Sequence, residues 1–130
     1  MALKLSTRQQ SQLAFLNLLP PKFARCLSVI EQMGGGGKVD ESVVRGMVRI
    51  MDEIKAGSSQ LKMNGLADAA ANMAAVGRRG GGLQVKVRAL REALASVRMN
   101  HDSATKKASI PVAPGHPDAD PDDGSDASEV

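Results

Sequence analysis

Aromatic side chains are nearly absent from this chain, which has two phenylalanines and neither tyrosine nor tryptophan among its 130 residues. A core so poor in rings favours helices that pack through aliphatic side chains over a β-sandwich. The single cysteine, Cys26, excludes an internal disulfide and a cysteine-based zinc site. No apolar run reaches the roughly 20 residues of a membrane span, and none near the N-terminus resembles a signal peptide. We therefore expect one cytoplasmic, reduced domain without a membrane segment.

The net charge of +3 hides two halves of opposite sign. Residues 1–100 carry 15 Lys and Arg against 7 Asp and Glu, whereas residues 101–130 carry 2 against 7. The second segment also holds four prolines and few apolar residues, a composition typical of disorder. We predict a domain at 1–100 and a disordered acidic tail at 101–130, which either keeps the protein soluble or lies loosely on the basic domain.

Prolines, glycines and capping residues divide the domain into five helices. Ser6 and Gln9 match a capping box, Asp40 can cap a long helix, and Asn64 can cap the next. The predicted helices span residues 7–19, 21–33, 41–62, 65–78 and 83–99. Short loops place neighbouring helices antiparallel. The predicted fold is all-α: an antiparallel four-helix up-and-down bundle with a short extra N-terminal helix.

The long helix at 41–62 has two contrasting faces. The residues predicted to be buried lie within about 40° of one line: Val43, Met47, Ile50, Ile54, Ser58 and Leu61. The opposite line carries Arg45, Arg49, Asp52, Ala56, Ser59 and Met63, with Lys55 one step from Asp52. Small residues on an exposed face add nothing to a core. They leave space for another surface to approach.

The segment DEIKAGSSQLKMNGLADAA, residues 52–70, resembles the phosphoacceptor helix of histidine-containing phosphotransfer (HPt) domains, and also the first domain of chemotaxis histidine kinases. Their signature is a histidine, any residue, Leu or Ile, Lys, small residues, and then Leu or Phe. The residues that match it are Ile54, Lys55, Ala56, Gly57, Ser58 and Leu61, and Leu66 fits the leucine that opens the following helix. The resemblance covers about residues 8–99.

The position of the phosphorylatable histidine is occupied by Asp52. A carboxylate is a poor nucleophile towards the acyl phosphate of a receiver domain, and no acidic cluster is present to hold Mg²⁺. The resemblance thus implies a non-enzymatic module with no catalytic residue, cofactor or metal. It would bind a response-regulator receiver domain or a histidine kinase, with Asp52 as a fixed negative charge. The predicted binding residues are Arg45, Arg49, Asp52, Lys55, Ala56 and Ser59.

Other interpretations remain open at this level. Asp52 can form a mere solvated surface pair with Lys55 or Arg49. The charge of the first 100 residues also suits a basic helical nucleic-acid-binding regulator, although rings are scarce and the arginines are spread over several helices. A true phosphotransferase would need a nucleophile that the sequence does not offer. His101 and His116 are predicted to be solvent-exposed bystanders.

Overall fold

The computed structural model describes residues 4–36 and 39–112, and this part of the chain folds into five helices. They are Thr7–Leu16 (α1), Pro20–Gly34 (α2), Glu41–Gln60 (α3), Asn64–Arg78 (α4) and Leu83–Ala108 (α5). No strand forms within the described residues, where a single antiparallel bridge joins Lys4 to Val112. The predicted all-helical fold is confirmed.

Local capping interactions explain where two of these helices begin. The Gln9 amide donates to Ser6 Oγ at 3.0 Å, and the Ser6 amide donates to Gln9 Oε1 at 2.9 Å, which completes the predicted capping box of α1. The Asp40 side chain accepts from the Ser42 amide at 3.3 Å and caps α3, as predicted. Both caps satisfy amide groups that have no partner within their own helix.

The predicted cap at Asn64 is wrong, because Asn64 is the first residue of α4 and the cap position belongs to Met63. The reason lies in the end of α3. The Met63 amide donates to the Ser58 carbonyl at 2.8 Å, and the Lys62 amide donates to the Ser59 carbonyl at 3.1 Å. This pair of bonds is a Schellman motif, which fixes Met63 between the two helices and leaves α4 without a side-chain cap.

Helices α2 to α5 enclose one hydrophobic core. α3 packs on α4, α4 on α5, α5 on α2 and α2 on α3, while α1 lies against α5. Leucine, methionine and valine fill much of this core, as the scarcity of rings predicted. The side chains of Ile30, Met51 and Leu90 are completely buried there. The helices form a bundle because each buries one apolar stripe against its neighbours.

Residues 101–108 correct the predicted boundary of the tail. They are helical and extend α5 to Ala108, although their polar composition had assigned them to a disordered segment. The sequence signal for this part of the helix is a row of residues on one helix face, at spacings of four, three and four: Val97, His101, Ala104 and Ala108. Ala108 is buried, and the Gln9 amide group donates to the Ile110 carbonyl, tying this end of α5 to α1. The rest of the predicted tail, residues 113–130, lies outside the described residues.

One stretch of the described chain, Thr7–Gly34, is long and apolar enough to cross a membrane by length and composition. The structure divides this stretch into α1 and α2. The residues Leu16, Leu19, Phe23 and Cys26 within it are buried in the bundle core. Because core helices of soluble proteins pass the same test, the stretch is weak evidence for a membrane span.

Candidate functional site

The predicted binding face of α3 lies on the surface. Arg45, Arg49, Lys55, Ala56 and Ser59 are exposed, and Asp52 is half-exposed. A shallow, open depression is lined by Asp52, Lys55, Ala56, Ser59 and Gln60. Two of these side chains, Ala56 and Ser59, are small and leave space for another surface to approach α3. We call this depression and its basic neighbours Arg45 and Arg49 the α3 face.

Asp52 has a partner that the sequence did not indicate. The Arg78 guanidinium, at the end of α4, donates to the Asp52 carboxylate. Both side chains remain largely accessible to solvent, at 58% for Arg78 and 41% for Asp52. An exposed pair of this kind contributes at most about 1 kcal/mol to folding. The interpretation of Asp52 as part of a surface ion pair is therefore correct in kind, but the cation comes from α4 rather than from Lys55 or Arg49.

Small residues on the inward side of α3 serve packing. A Cβ atom added at Gly57 would lie 2.6 Å from Cζ of Phe15, so the missing side chain lets α1 seat its ring against α3. Ser58 is completely buried, and its hydroxyl is without a hydrogen-bond partner among the described residues. Among the small residues of segment 52–70, Gly57 and Ser58 thus face the protein interior, whereas Ala56 and Ser59 face solvent.

The buried face of α3 is rotated from its predicted line. Met47, Ile54 and Ser58 are buried as predicted, and Met51 and Val48 join them. The predicted positions Val43, Ile50 and Leu61 are exposed or half-buried, and Met63, predicted to face solvent, is buried. Packing against α4 accounts for part of the rotation: a Cβ at Gly77 would lie 2.5 Å from Val48 Cγ2, so Gly77 admits that side chain.

A groove beside the α3 face gathers basic side chains from different helices. Its cations are Arg45 and Arg49 of α3, Arg78 of α4, Arg79 in the following loop and Lys86 of α5. Glu41 and Asp52 are the acidic residues that line it. The arginines that are scattered along the sequence therefore converge in the folded chain. We call this feature the basic groove.

Neither a histidine nor a metal cluster accompanies the α3 face in the described part of the chain. His101, predicted to be a solvent-exposed bystander, is half-buried on α5, where its Nε2 lies 2.9 Å from the Leu16 carbonyl oxygen. Its ring also meets Phe23 edge-on, with 5.2 Å between the centroids. His116 lies outside the described residues. Within 4–36 and 39–112, no three histidine, cysteine, aspartate or glutamate side chains cluster to hold a metal.

Comparisons of the chain with protein-family models, curated proteins and solved structures give no significant match. What the fold and surface define is thus a helical bundle with an exposed, small-residue face on its third helix.

Proposed function

We propose that this chain is a non-catalytic HPt-like signalling module that docks on a receiver domain or a histidine kinase and modulates it without accepting phosphate. The observation that carries the proposal is the open depression on α3 that is lined by Asp52 and by the small residues Ala56 and Ser59. The resemblance to HPt domains would put Asp52 at the acceptor position. In the family, the equivalent small residues let the receiver loops approach. We include in this proposal the antiparallel up-and-down arrangement of α2 to α5 and a cytoplasmic location.

The charge distribution supports docking on an acidic or phosphorylated partner. Arg78 neutralises Asp52, so the remaining charged side chains of the α3 face as defined above, Arg45, Arg49 and Lys55, are all cations. A receiver that carries an aspartyl phosphate would present negative charge to these cations. Such complementarity raises the association rate and fixes the orientation of the complex. The partner can also displace Arg78 and pair with Asp52 directly.

The chemistry of the face favours binding over phosphoryl transfer. The Asp52 carboxylate is a weak nucleophile, and in the described chain no histidine stands on α3. His101 is directed at the Leu16 carbonyl and the Phe23 ring, on the side of the bundle where α1 meets α5. A protein of this design would sequester, inhibit or scaffold its partner.

The proposal is tested by measuring the affinity of the full chain for purified receiver domains and histidine kinases from its source organism. Ala56→Gln fills the depression with a neutral, helix-compatible side chain at an exposed position, so binding should fall at least about tenfold with folding preserved. Ala95→Gln is the matched control, because Ala95 is exposed on α5, which lies across the bundle from α3. Absence of binding to every member of the panel, or equal losses for both variants, would refute the proposal.

A further variant separates charge from shape. Asp52→Ala removes the carboxylate but keeps the depression open. If the partner desolvates this charge, affinity should fall by about 2–5 kcal/mol; a charge at the rim would mainly change the association rate and its salt dependence. Titration calorimetry at two salt concentrations distinguishes a desolvated charge contact from a charge at the rim of the interface. Asp52→Asn, which removes the charge but keeps the size and shape of the side chain, is the control for side-chain volume.

A second candidate function is nucleic-acid binding through the basic groove. It is favoured by the convergence of five cations, Arg45, Arg49, Arg78, Arg79 and Lys86, on one concave surface. Phosphate contacts of this kind need no aromatic side chain, but they weaken steeply as the salt concentration rises. The acidic Glu41 and Asp52 in the same groove reduce its attraction for a polyanion.

A double variant, Arg79→Gln with Lys86→Gln, and the single variant Ala56→Gln distinguish the two candidate functions, because each changes one surface alone. The pair Arg79→Gln and Lys86→Gln lies in the basic groove but outside the α3 depression. These changes should weaken duplex DNA or RNA binding, followed by fluorescence anisotropy, and should leave receiver binding intact. Ala56→Gln should do the opposite. Tight, salt-dependent nucleic-acid binding that Arg79→Gln and Lys86→Gln abolish would establish the second candidate.

A further inference from the structure

The basic groove carries positive charge that its own carboxylates do not balance. Five cations and two carboxylates line it, which leaves a net charge of +3. Arg78 is paired with Asp52, whereas the other four groove cations form no salt bridge with any described residue. Three of these four are exposed, and Lys86 is half-buried. Because a concave wall concentrates the field of like charges, the groove favours an occupant of negative charge.

The same chain contains a segment of the opposite charge. Residues 113–130 include six acidic residues and no Lys or Arg. Four of the six lie within residues 122–129, DDGSDASE, which we call the acidic segment. Its other residues are glycine, serine and alanine, so no apolar side chain of any size is available to direct its binding. Its charge of −4 is close in size to the +3 of the groove.

The chain is long enough to bring the acidic segment to the groove. The groove lies where α3 and α5 begin and α4 ends, whereas Val112 follows the other end of α5. From Ala108 back to Lys86, α5 spans about 33 Å at a rise of about 1.5 Å per residue. An extended chain covers at most about 3.3–3.6 Å per residue, so Asp126 can lie about 46–50 Å from Val112. Asp118 can lie only about 20–22 Å from it and cannot reach the groove.

The covalent link makes even a weak contact effective. Residues 113–121 join the acidic segment to the bundle, and a short tether gives an effective concentration in the millimolar range. A contact with a dissociation constant of about 1 mM would then be formed for about half of the time. The tether contains Pro114, Pro117 and Pro121. Proline-rich linkers are extended spacers, which favours a distant site over the cations beside Val112.

We propose that the acidic segment, residues 122–129, binds in the basic groove of its own chain, with its carboxylates facing Arg45, Arg79 and Lys86. The contact depends on the charge of the groove and the reach of the chain, and it is independent of the docking function proposed above. A nucleic acid or another polyanion has to displace the segment before it enters the groove. The acidic segment thus selects against weakly binding polyanions, while the depression at Ala56 and Ser59 stays open.

The contact is tested by paramagnetic broadening of amide NMR signals in the full, isotope-labelled chain. Ser125→Cys places a nitroxide label within the acidic segment, and Cys26 is completely buried, so the label attaches to the new thiol. At low salt the signals of Arg79 and Lys86 should lose at least about half of their intensity. They should recover in about 1 M NaCl, where charges are screened beyond about 3 Å. The parent chain, treated with the same reagent, should show no broadening.

Three outcomes would overturn the proposal. The first is broadening confined to the residues beside Val112, which would place the segment at the near end of the bundle. The second is equal broadening at exposed cations of every helix, which would mean a loose association without a site. The third is no broadening at low salt.

Two matched pairs of substitutions separate the groove contact from general attraction between charges. Asp126→Asn with Glu129→Gln removes two charges that can reach the groove, whereas Asp118→Asn with Asp120→Asn removes two that cannot. The first pair should lower the equilibrium constant of the contact at least about threefold, as expected for the loss of two exposed ion pairs. The second pair should change it less. Equal effects of the two pairs would contradict the proposal.

A last pair of variants changes the groove instead of the acidic segment. Arg79→Gln with Lys86→Gln should reduce the broadening at Arg45, because the segment loses two of its cations. Lys22→Gln with Arg25→Gln removes the same charge from the exposed surface of α2 and is the control. If both double variants reduce the broadening at Arg45 equally, or neither does, the basic groove is not the binding site.

Discussion

Gly57 offers the sharpest test of how the small residues of α3 act, because the structure gives its substitution two opposing effects. In an ordinary helix interior, Gly→Ala stabilises by about 1 kcal/mol. At Gly57 the new Cβ would lie 2.6 Å from Cζ of Phe15, well inside normal contact distance, and the ring would have to move by roughly 1 Å. Overpacking of this kind costs about 1–3 kcal/mol. We expect Gly57→Ala to leave stability unchanged or to lower it by up to about 2 kcal/mol.

A double-mutant cycle with Phe15→Ala isolates the contact. Without the ring, the Cβ of Gly57→Ala has space, so the same substitution should stabilise by about 1 kcal/mol. The sign or size of the effect therefore depends on Phe15, with a coupling energy of about 1–3 kcal/mol. Gly46→Ala is the matched control on the same helix, because its Cβ would meet nothing within 4 Å. It should stabilise equally in both backgrounds.

The assay is urea unfolding followed by far-UV circular dichroism, with the parent chain, the three variants of the cycle and the two control chains analysed under one two-state treatment. If Gly57→Ala stabilises the parent chain as much as Gly46→Ala does, Gly57 is not needed for close packing. The contact with Phe15 would then not explain why α3 has a glycine at this position.

Three further predictions follow from particular side chains. Burial raises the pKa of the Cys26 thiol from 9.0 to about 11, so alkylation of this thiol should be slow in the native state. The unfolded chain loses the thiol proton at a lower pH than the folded chain, so the free energy of unfolding should fall by up to about 2–3 kcal/mol as the pH rises from 9 to 11. The same fall in a Cys26→Ala chain would contradict this. A chain ending at residue 100 should be about 2–4 kcal/mol less stable in urea than one ending at residue 112, because it lacks the His101–Phe23 contact and the bonds of Gln9 to the end of α5; equal midpoints would refute this. Under the proposed function, incubation with a labelled phospho-receiver should leave no acid-labile label on the chain, since α3 carries no histidine and the Asp52 carboxylate is a poor nucleophile towards an acyl phosphate; such a label would contradict the proposal.

The sequence was sufficient for features that depend on local periodicity and capping. The box at Ser6 and Gln9 and the cap at Asp40 form as predicted, because each needs only residues three or fewer positions apart. The exposure of Ala56 and Ser59 also followed from the helical repeat of α3. These features require no knowledge of how the helices pack.

Features that depend on contacts between distant segments could not be predicted from local periodicity and capping. Asp52 is paired with Arg78, which lies 26 residues away in the sequence. The sequence alone predicts a pair with Lys55 or Arg49, because these cations are only three residues from Asp52. The end of α5 was missed because its polar residues outnumber the stripe formed by His101, Ala104 and Ala108. The buried face of α3 is rotated in part because Gly77 admits the Val48 side chain between α3 and α4. In each case a tertiary contact decided between local alternatives.

The docking proposal is tested most directly by recording which amide NMR signals of the isotope-labelled chain shift when a receiver domain that binds the chain is added. We expect the largest shifts along the α3 face, at Asp52, Ala56 and Ser59; Ala56→Gln should weaken this binding at least about tenfold, and Ala95→Gln should leave it unchanged. Shifts confined to the basic groove at Arg79 and Lys86, or to the rest of α5, with no shifts along the α3 face, would contradict the docking proposal.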